Sequence, residues 1–184
     1  AARPLSAASG LVLAGHALLV AADDEPALAR FDLDRLDRPG RFVHRLGPDL
    51  PLEKKARKRA KRDWEALMPW PPVPPIFPHG GLVVWGSGSR AARMHAWLLP
   101  WADAMTSGFD LGRAREIDTT PLLQPLESEL NIEGAWLREA AGADTRLCLL
   151  QRGHGGGARN ACIEFAWADV PMGMSGGASE LPRP

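Results

Sequence analysis

Asp63-Trp64-Glu65-Ala66-Leu67 returns in altered form as Asn131-Ile132-Glu133-Gly134-Ala135, and the stretches after each copy also match. Gly81-Leu82-Val83-Val84-Trp85 corresponds to Arg146-Leu147-Cys148-Leu149-Leu150. Arg93-Met94-His95-Ala96-Trp97-Leu98 then corresponds to Asn160-Ala161-Cys162-Ile163-Glu164-Phe165. A fainter copy lies upstream, His16-Ala17-Leu18-Leu19-Val20 followed by Ala27-Leu28-Ala29-Arg30-Phe31. The second segments start at 16, 81 and 146, equal steps of 65 residues. Each copy reads as apolar run, turn, apolar run, which one supersecondary unit repeated around a propeller or along a solenoid would produce.

The β-branched and aromatic residues at 82–85 and 163–167 favour strands. The spacing predicts strands at 11–14, 17–22, 27–33 and 41–46, then at 64–69, 81–86, 93–99 and roughly 116–123. In the third unit they fall at 132–138, 146–151 and 160–167, with the fourth strand missing or in the Gly/Pro-rich tail 169–184. The expected fold is all-β, of propeller type, with about three four-stranded antiparallel blades. Blade 1 spans about 8–50, blade 2 about 62–125 and blade 3 about 130–168. A helix over Leu126–Ala141, or one extending from the basic run through Glu65–Met68, is the alternative, and Asn131 and Gly134 argue against the first. A closed propeller needs about four blades, whereas 184 residues at a period of 65 give fewer than three. The reading is therefore an incomplete propeller, completed by further blades of a longer chain or by self-association.

Net charge is zero, which removes any global attraction to nucleic acid or anionic membrane. The basic run Lys54–Arg62 could contact phosphate, but no aromatic interleaves it, so it offers no stacking platform for single strands. A solvated inter-blade loop or short helix is the plainer reading. Pro69-Trp70-Pro71-Pro72-Val73-Pro74-Pro75 suits stiff polyproline II, either as a rigid loop within a blade or as a ligand for an SH3-like groove. Within the largely apolar stretch Leu5–Ala22, Leu11–Leu13 and Ala17–Ala22 read as two buried strands parted by Gly15-His16, and so as a cytoplasmic chain. If residues 1–22 were instead a signal remnant, the chain would be exported. No apolar run reaches the length of a membrane helix. The only cysteines, Cys148 and Cys162, face each other if Leu150 lies opposite Asn160, as two free thiols or a bonded pair.

In a meander, the link into the first strand and the turn between the second and third strands lie at the same end. That end should collect Asp63, Glu65, Asn131 and Glu133, with Asp24 from the first unit. Oxygen ligands from several blades, without a thiolate or histidine cluster, suit a hard cation such as Ca²⁺. The loops Gly86–Arg90 and Arg152–Asn160 would reach over the same face, with Arg90, Arg159 and Asn160 as anion donors. His154 is the one loop residue suited to acid–base work near neutral pH. Neither loop has Walker spacing, and the chain has no nucleophile elbow and no zinc-type spacing.

The ordered set SGL (9–11), LLVAADDE (18–25), KRDWEAL (61–67), GSGSR (86–90), LNIEG (130–134), LLQRG (149–153) and ARN (158–160) resembles a bacterial family known as domain of unknown function 6929. That family looks like a β-propeller, and the resemblance covers about residues 8–168. Its members are longer, which implies an N-terminal portion here. The chain is more distantly similar to phytase-like esterase, SdiA-regulated and gluconolactonase-type propellers. In those, an acidic residue followed by glycine on the innermost strand helps build a central metal or substrate site. Glu133-Gly134 fits that pattern, whereas Glu65 precedes Ala66. The expected function is a binding or scaffold module for a small molecule or protein. The alternative is a Ca²⁺-dependent hydrolase of phosphoesters or lactones.

Overall fold

The computed structural model describes residues 5–75, 77–104, 108–126, 129–139, 145–153 and 159–170. It holds three antiparallel sheets, each a meander in which consecutive strands pair. The first contains β1 (Ala8–Ala14), β2 (Ala17–Ala22), β3 (Ala27–Asp32) and β4 (Arg41–Arg45). The second contains β5 (Trp64–Trp70), β6 (Gly81–Gly86), β7 (His95–Pro100) and β8 (Arg115–Asp118). The third contains β9 (Ile132–Arg138), β10 (Arg146–Gln151) and β11 (Ala161–Ala166). The all-β reading holds, and the helical alternatives fail because β5 and β9 occupy those stretches. The third sheet shows three strands among the described residues; the proposed home of a fourth, in the tail, lies outside them from 171 onward. Among the described residues no helix is long and apolar enough to cross a membrane.

The sheets stack face to face through two apolar seams. Val12, Leu19 and Leu28 of the first sheet meet Trp64, Leu67, Leu82, Val84 and Leu99 of the second. From its other side, the second sheet sends Ala66, Met68, Trp70, Val83, Trp85 and Leu98 against Ile132, Leu147 and Leu149 of the third. The middle sheet is thus covered on both faces, so every residue of β6 is buried. This explains its unbroken apolar sequence, since alternation with polar residues belongs to a half-exposed sheet. At the outer ends, Leu11, Leu13 and Phe42 of the first sheet and Trp136 and Leu150 of the third remain exposed. Gly10 sits where β1 crosses β5, and a Cβ there would come within 2.6 Å of the Leu67 nitrogen.

The first strands of the three sheets, β1, β5 and β9, share an irregularity. The pairing of β1 with β2 shifts between Ala8 and Gly10, that of β5 with β6 between Trp64 and Ala66, and that of β9 with β10 between Leu150 and Gln151. The extra residue is Ser9 in β1, Glu65 in β5 and, opposite the third shift, Glu133 in β9. A β-bulge inserts one unpaired residue, bends the strand and re-aims its side chain. In β5 the consequence is direct: Trp64 packs into the first seam and Ala66 into the second, although unbroken alternation would put both on one face.

Three local expectations need correction. The fourth strand of the second sheet ends at Asp118, and Thr120–Leu123 forms a helical turn, α2, with proline in its first turn. The proline-rich loop does not extend as polyproline II, because Val73 and Phe77 exchange backbone hydrogen bonds of 2.7 and 2.8 Å and turn the chain back. The basic run, in contrast, forms the short helix expected of it, α1 (Lys54–Ala60), capped by Glu53, whose carboxylate accepts from the amides of Lys55 and Ala56. The cysteine register is also displaced by two residues: Leu150 lies opposite Cys162, and Cys148 opposite Glu164. A two-residue displacement preserves the face, so both thiols stay on the outer side of the third sheet, both free.

Candidate functional site

One end of the stack holds a cleft of about 810 Å³, lined by Asp23, Asp24, Lys54, Arg57, Lys58, Lys61, Asp63, Glu65, Ser89, Arg90, Arg93, Glu129, Leu130, Asn131 and Arg152. Asp23 and Asp24 come from the turn after β2. Asp63 and Asn131 come from the entries to β5 and β9, and Ser89 and Arg90 from the turn after β6. Meander topology requires these connections to share an end, and the structure places Asp24, Asp63, Glu65, Asn131 and Arg90 together in this cleft. α1 closes one side, with Lys54, Arg57 and Lys58 as cleft residues.

Asp63 is the centre of the floor. It is buried, with φ of 57°, a left-handed backbone that aspartate tolerates better than most residues. Its carboxylate accepts from the Ser87 hydroxyl at 2.8 Å and from Arg93 Nη1 at 2.6 Å, and pairs with Lys61 Nζ at 2.8 Å. Lys61 also donates to Asp23 in a very short contact and reaches Asp24 at 3.3 Å. Its ammonium therefore stands among three carboxylates. Arg57 Nη2 donates to the Asp24 carbonyl.

The charges of these groups follow from that arrangement. Burial raises Asp63, but hydrogen bonds with Asp23, Lys61 and Ser87 and the Arg93 charge outweigh it and hold the carboxyl down at about 2. Burial and the hydrogen bond with Asp63 push Asp23 up to about 6, against the pull of Lys61. Glu65 is pushed up to about 7, first by burial and then by the negative charges of Asp23, Glu133 and Asp63, with Ser9 opposing. The bulge residues Ser9 and Glu133, from the first and third sheets, thus both act on Glu65 of the second. Glu133 itself accepts from Asn131 Nδ2 at 2.8 Å and pairs with Arg152 at 2.8 Å.

A family of unknown function, DUF6929, matches residues 4–184. The chain belongs to it. Neither the curated proteins nor the solved structures contain a match. For this DUF6929 member the geometry of the chain is therefore the source of any functional reading.

Asp23, Asp63 and Glu65 offer carboxylate oxygens within 4.8 Å of one another. This DUF6929 chain surrounds them with cations, since the cleft is lined by seven basic and five acidic side chains. Arg159 and Asn160 are exposed and lie outside the cleft lining; Asn160 instead accepts from the Gly153 amide at 3.0 Å, tying its own loop. His154 falls outside the described residues. Lys61, Arg93, Ser87 and Arg152 were not singled out from the sequence. Lys61 was legible only as one more member of a basic run, although Asp63 two residues on marks where that run turns inward.

Proposed function

We propose that this chain is a propeller-type binding module whose ligand is a small anion held in the cleft. The observation that carries this reading is a division of labour among the charges. The floor carboxylates Asp23 and Asp63 are already neutralised by Lys61 and Arg93. Lys54 and Lys58, four residues apart on one face of α1, and Arg90 across the cleft, line it without a side-chain partner among the described residues. Cations without partners around a concave site attract an anion, and Arg90 adds a planar fork of donors suited to phosphate or carboxylate. The cleft volume lies in the range of small-molecule sites.

The test is a thermal-shift series with inorganic phosphate, pyrophosphate and citrate on the wild-type chain and on Arg90→Ser and Lys58→Ser. A ligand at one hundred times its Kd stabilises by about 2.7 kcal/mol, a rise of about 5–11 °C for a domain of this size. The rise should shrink in both variants. If none of the three anions moves the melt, or the rise survives both substitutions, the reading fails.

A second reading, a Ca²⁺-dependent hydrolase of phosphoesters or lactones, is favoured by the close oxygens of Asp23, Asp63 and Glu65. It requires Ca²⁺ to displace Lys61. In that case Ca²⁺ would raise the wild-type melting temperature, and Glu65→Gln with Glu133→Gln would abolish the rise.

A further inference from the structure

Away from the cleft, the outer face of the third sheet brings together two sulfurs and a carboxylate. Cys148 on β10 lies opposite Glu164 on β11, and Cys162 is two residues from Glu164 on the same strand, so all three side chains leave the same face. Their ligand atoms, two sulfurs and a carboxylate oxygen, all lie within 4.8 Å of one another. Both thiols are free. We propose that Cys148, Cys162 and Glu164 form a metal site for a thiophilic divalent cation of the Zn²⁺ class.

Ligand chemistry and spacing argue for that class. Paired thiolates select soft or borderline ions and disfavour Ca²⁺ and Mg²⁺, which prefer oxygen. Tetrahedral zinc with metal–sulfur bonds of about 2.3 Å keeps its sulfur ligands about 3.8 Å apart. The observed spread therefore closes by side-chain rotation, without moving the strands. Arg138 on β9 pairs with one Glu164 oxygen at 2.9 Å. It thereby orients the carboxylate as an outer partner does at established metal sites. Cys148 is fully buried, whereas Cys162 and Glu164 are exposed. An ion therefore enters from the solvent side and keeps its fourth position for water. Binding releases the two thiol protons to solvent, with no oxidation or reduction. The site ties β10 to β11 across the outer face that carries the exposed Trp136 and Leu150.

The experiment titrates Co²⁺ into the reduced full chain in the presence of a phosphine reductant. The expected result is a near-ultraviolet thiolate-to-cobalt absorption saturating at one equivalent, with the intense visible bands of a four-coordinate ion, bleached by one equivalent of Zn²⁺. Cys162→Ser, an exposed position whose change leaves the core intact, should abolish the near-ultraviolet band. Cys148→Ala should do the same, and Glu164→Gln should weaken binding at least tenfold. Absence of the band at stoichiometric cobalt, or its persistence in Cys162→Ser, overturns the site. An unchanged affinity in Glu164→Gln also overturns it as a three-ligand centre.

Discussion

Replacing Lys61 with methionine tests the architecture of the cleft floor most directly. The Lys61 side chain is 13 % exposed and Asp63 8 %, so their contact at 2.8 Å is largely shielded from water. The substitution keeps most of the aliphatic stem but removes the ammonium shared by Asp23, Asp24 and Asp63. Breaking a buried ion pair from one side costs about 3–5 kcal/mol, because it strands the remaining charge. Asp63 retains Arg93 and Ser87, and Asp23 is partly open to solvent, which places the expected loss near the lower end, about 3 kcal/mol. For a chain of this length that is a fall in Tm of about 6–12 °C at pH 7. The deficit should narrow as pH falls, because without the pull of Lys61 Asp23 takes up a proton more readily and no longer repels Asp63. Asp23→Asn in the Lys61→Met background should recover part of the loss. The vacated seat among the three carboxylates should also make the chain more responsive to Ca²⁺ than the wild type. The assay is a set of calorimetric or circular-dichroism melts from pH 4 to 8, with and without Ca²⁺. A fall of less than about 3 °C, equal at pH 7 and pH 5, would refute the view that Lys61 serves as the resident cation.

Two further outcomes follow from the same geometry. Glu65 has a folded pKa of about 7, above its ordinary value, so the folded state holds that proton more tightly than the unfolded chain. Its contribution to stability is complete below about pH 4.5 and is lost as pH rises through 7. Glu65→Gln should therefore melt like the wild type near pH 4 and at a higher temperature at pH 8; curves that stay parallel across that range would contradict the assignment. Gly10→Ala should destabilise by about 1–3 kcal/mol, since the new methyl group meets backbone atoms of β5 that cannot swing aside. Urea denaturation measures this, with Ala8→Ser at an exposed strand position as the neutral comparison.

The period of 65 residues made the strands legible because each copy repeats the same apolar rhythm. Gly81–Gly86 and Arg146–Gln151 are the second strands of their sheets, where the repeat is strongest. Convergence of Asp63, Glu65 and Asn131 was legible too, from meander topology alone. The bulges were not, since Ser9, Glu65 and Glu133 share a backbone position rather than a residue type. A bulge is visible only when both strands of the pairing are in place. Lys61 was hidden for a related reason: the six other basic residues of Lys54–Arg62 obscure the one that folds inward. The cysteine register went astray because a glycine-rich loop sets no turn type, so it does not fix which residues of the flanking strands oppose each other. The zinc-type spacing rules missed Cys148 and Cys162 because those rules read ligands within one loop, whereas this cluster assembles across a strand pair.

The seam between the second and third sheets carries its own optical label. Trp70, at the end of β5, and Trp167, just beyond β11, have ring centroids 4.9 Å apart and planes inclined at 37°. Two indoles that close, skewed rather than parallel, couple their electronic transitions and give a paired positive and negative circular-dichroism signal that neither ring gives alone. Trp70 belongs to the second sheet and Trp167 directly follows the last strand of the third, so the couplet exists only while those sheets are docked. It reports separation of this seam independently of the loss of strand content, and Trp167→Phe supplies the blank. The order in which the stack comes apart can therefore be read without introducing a probe.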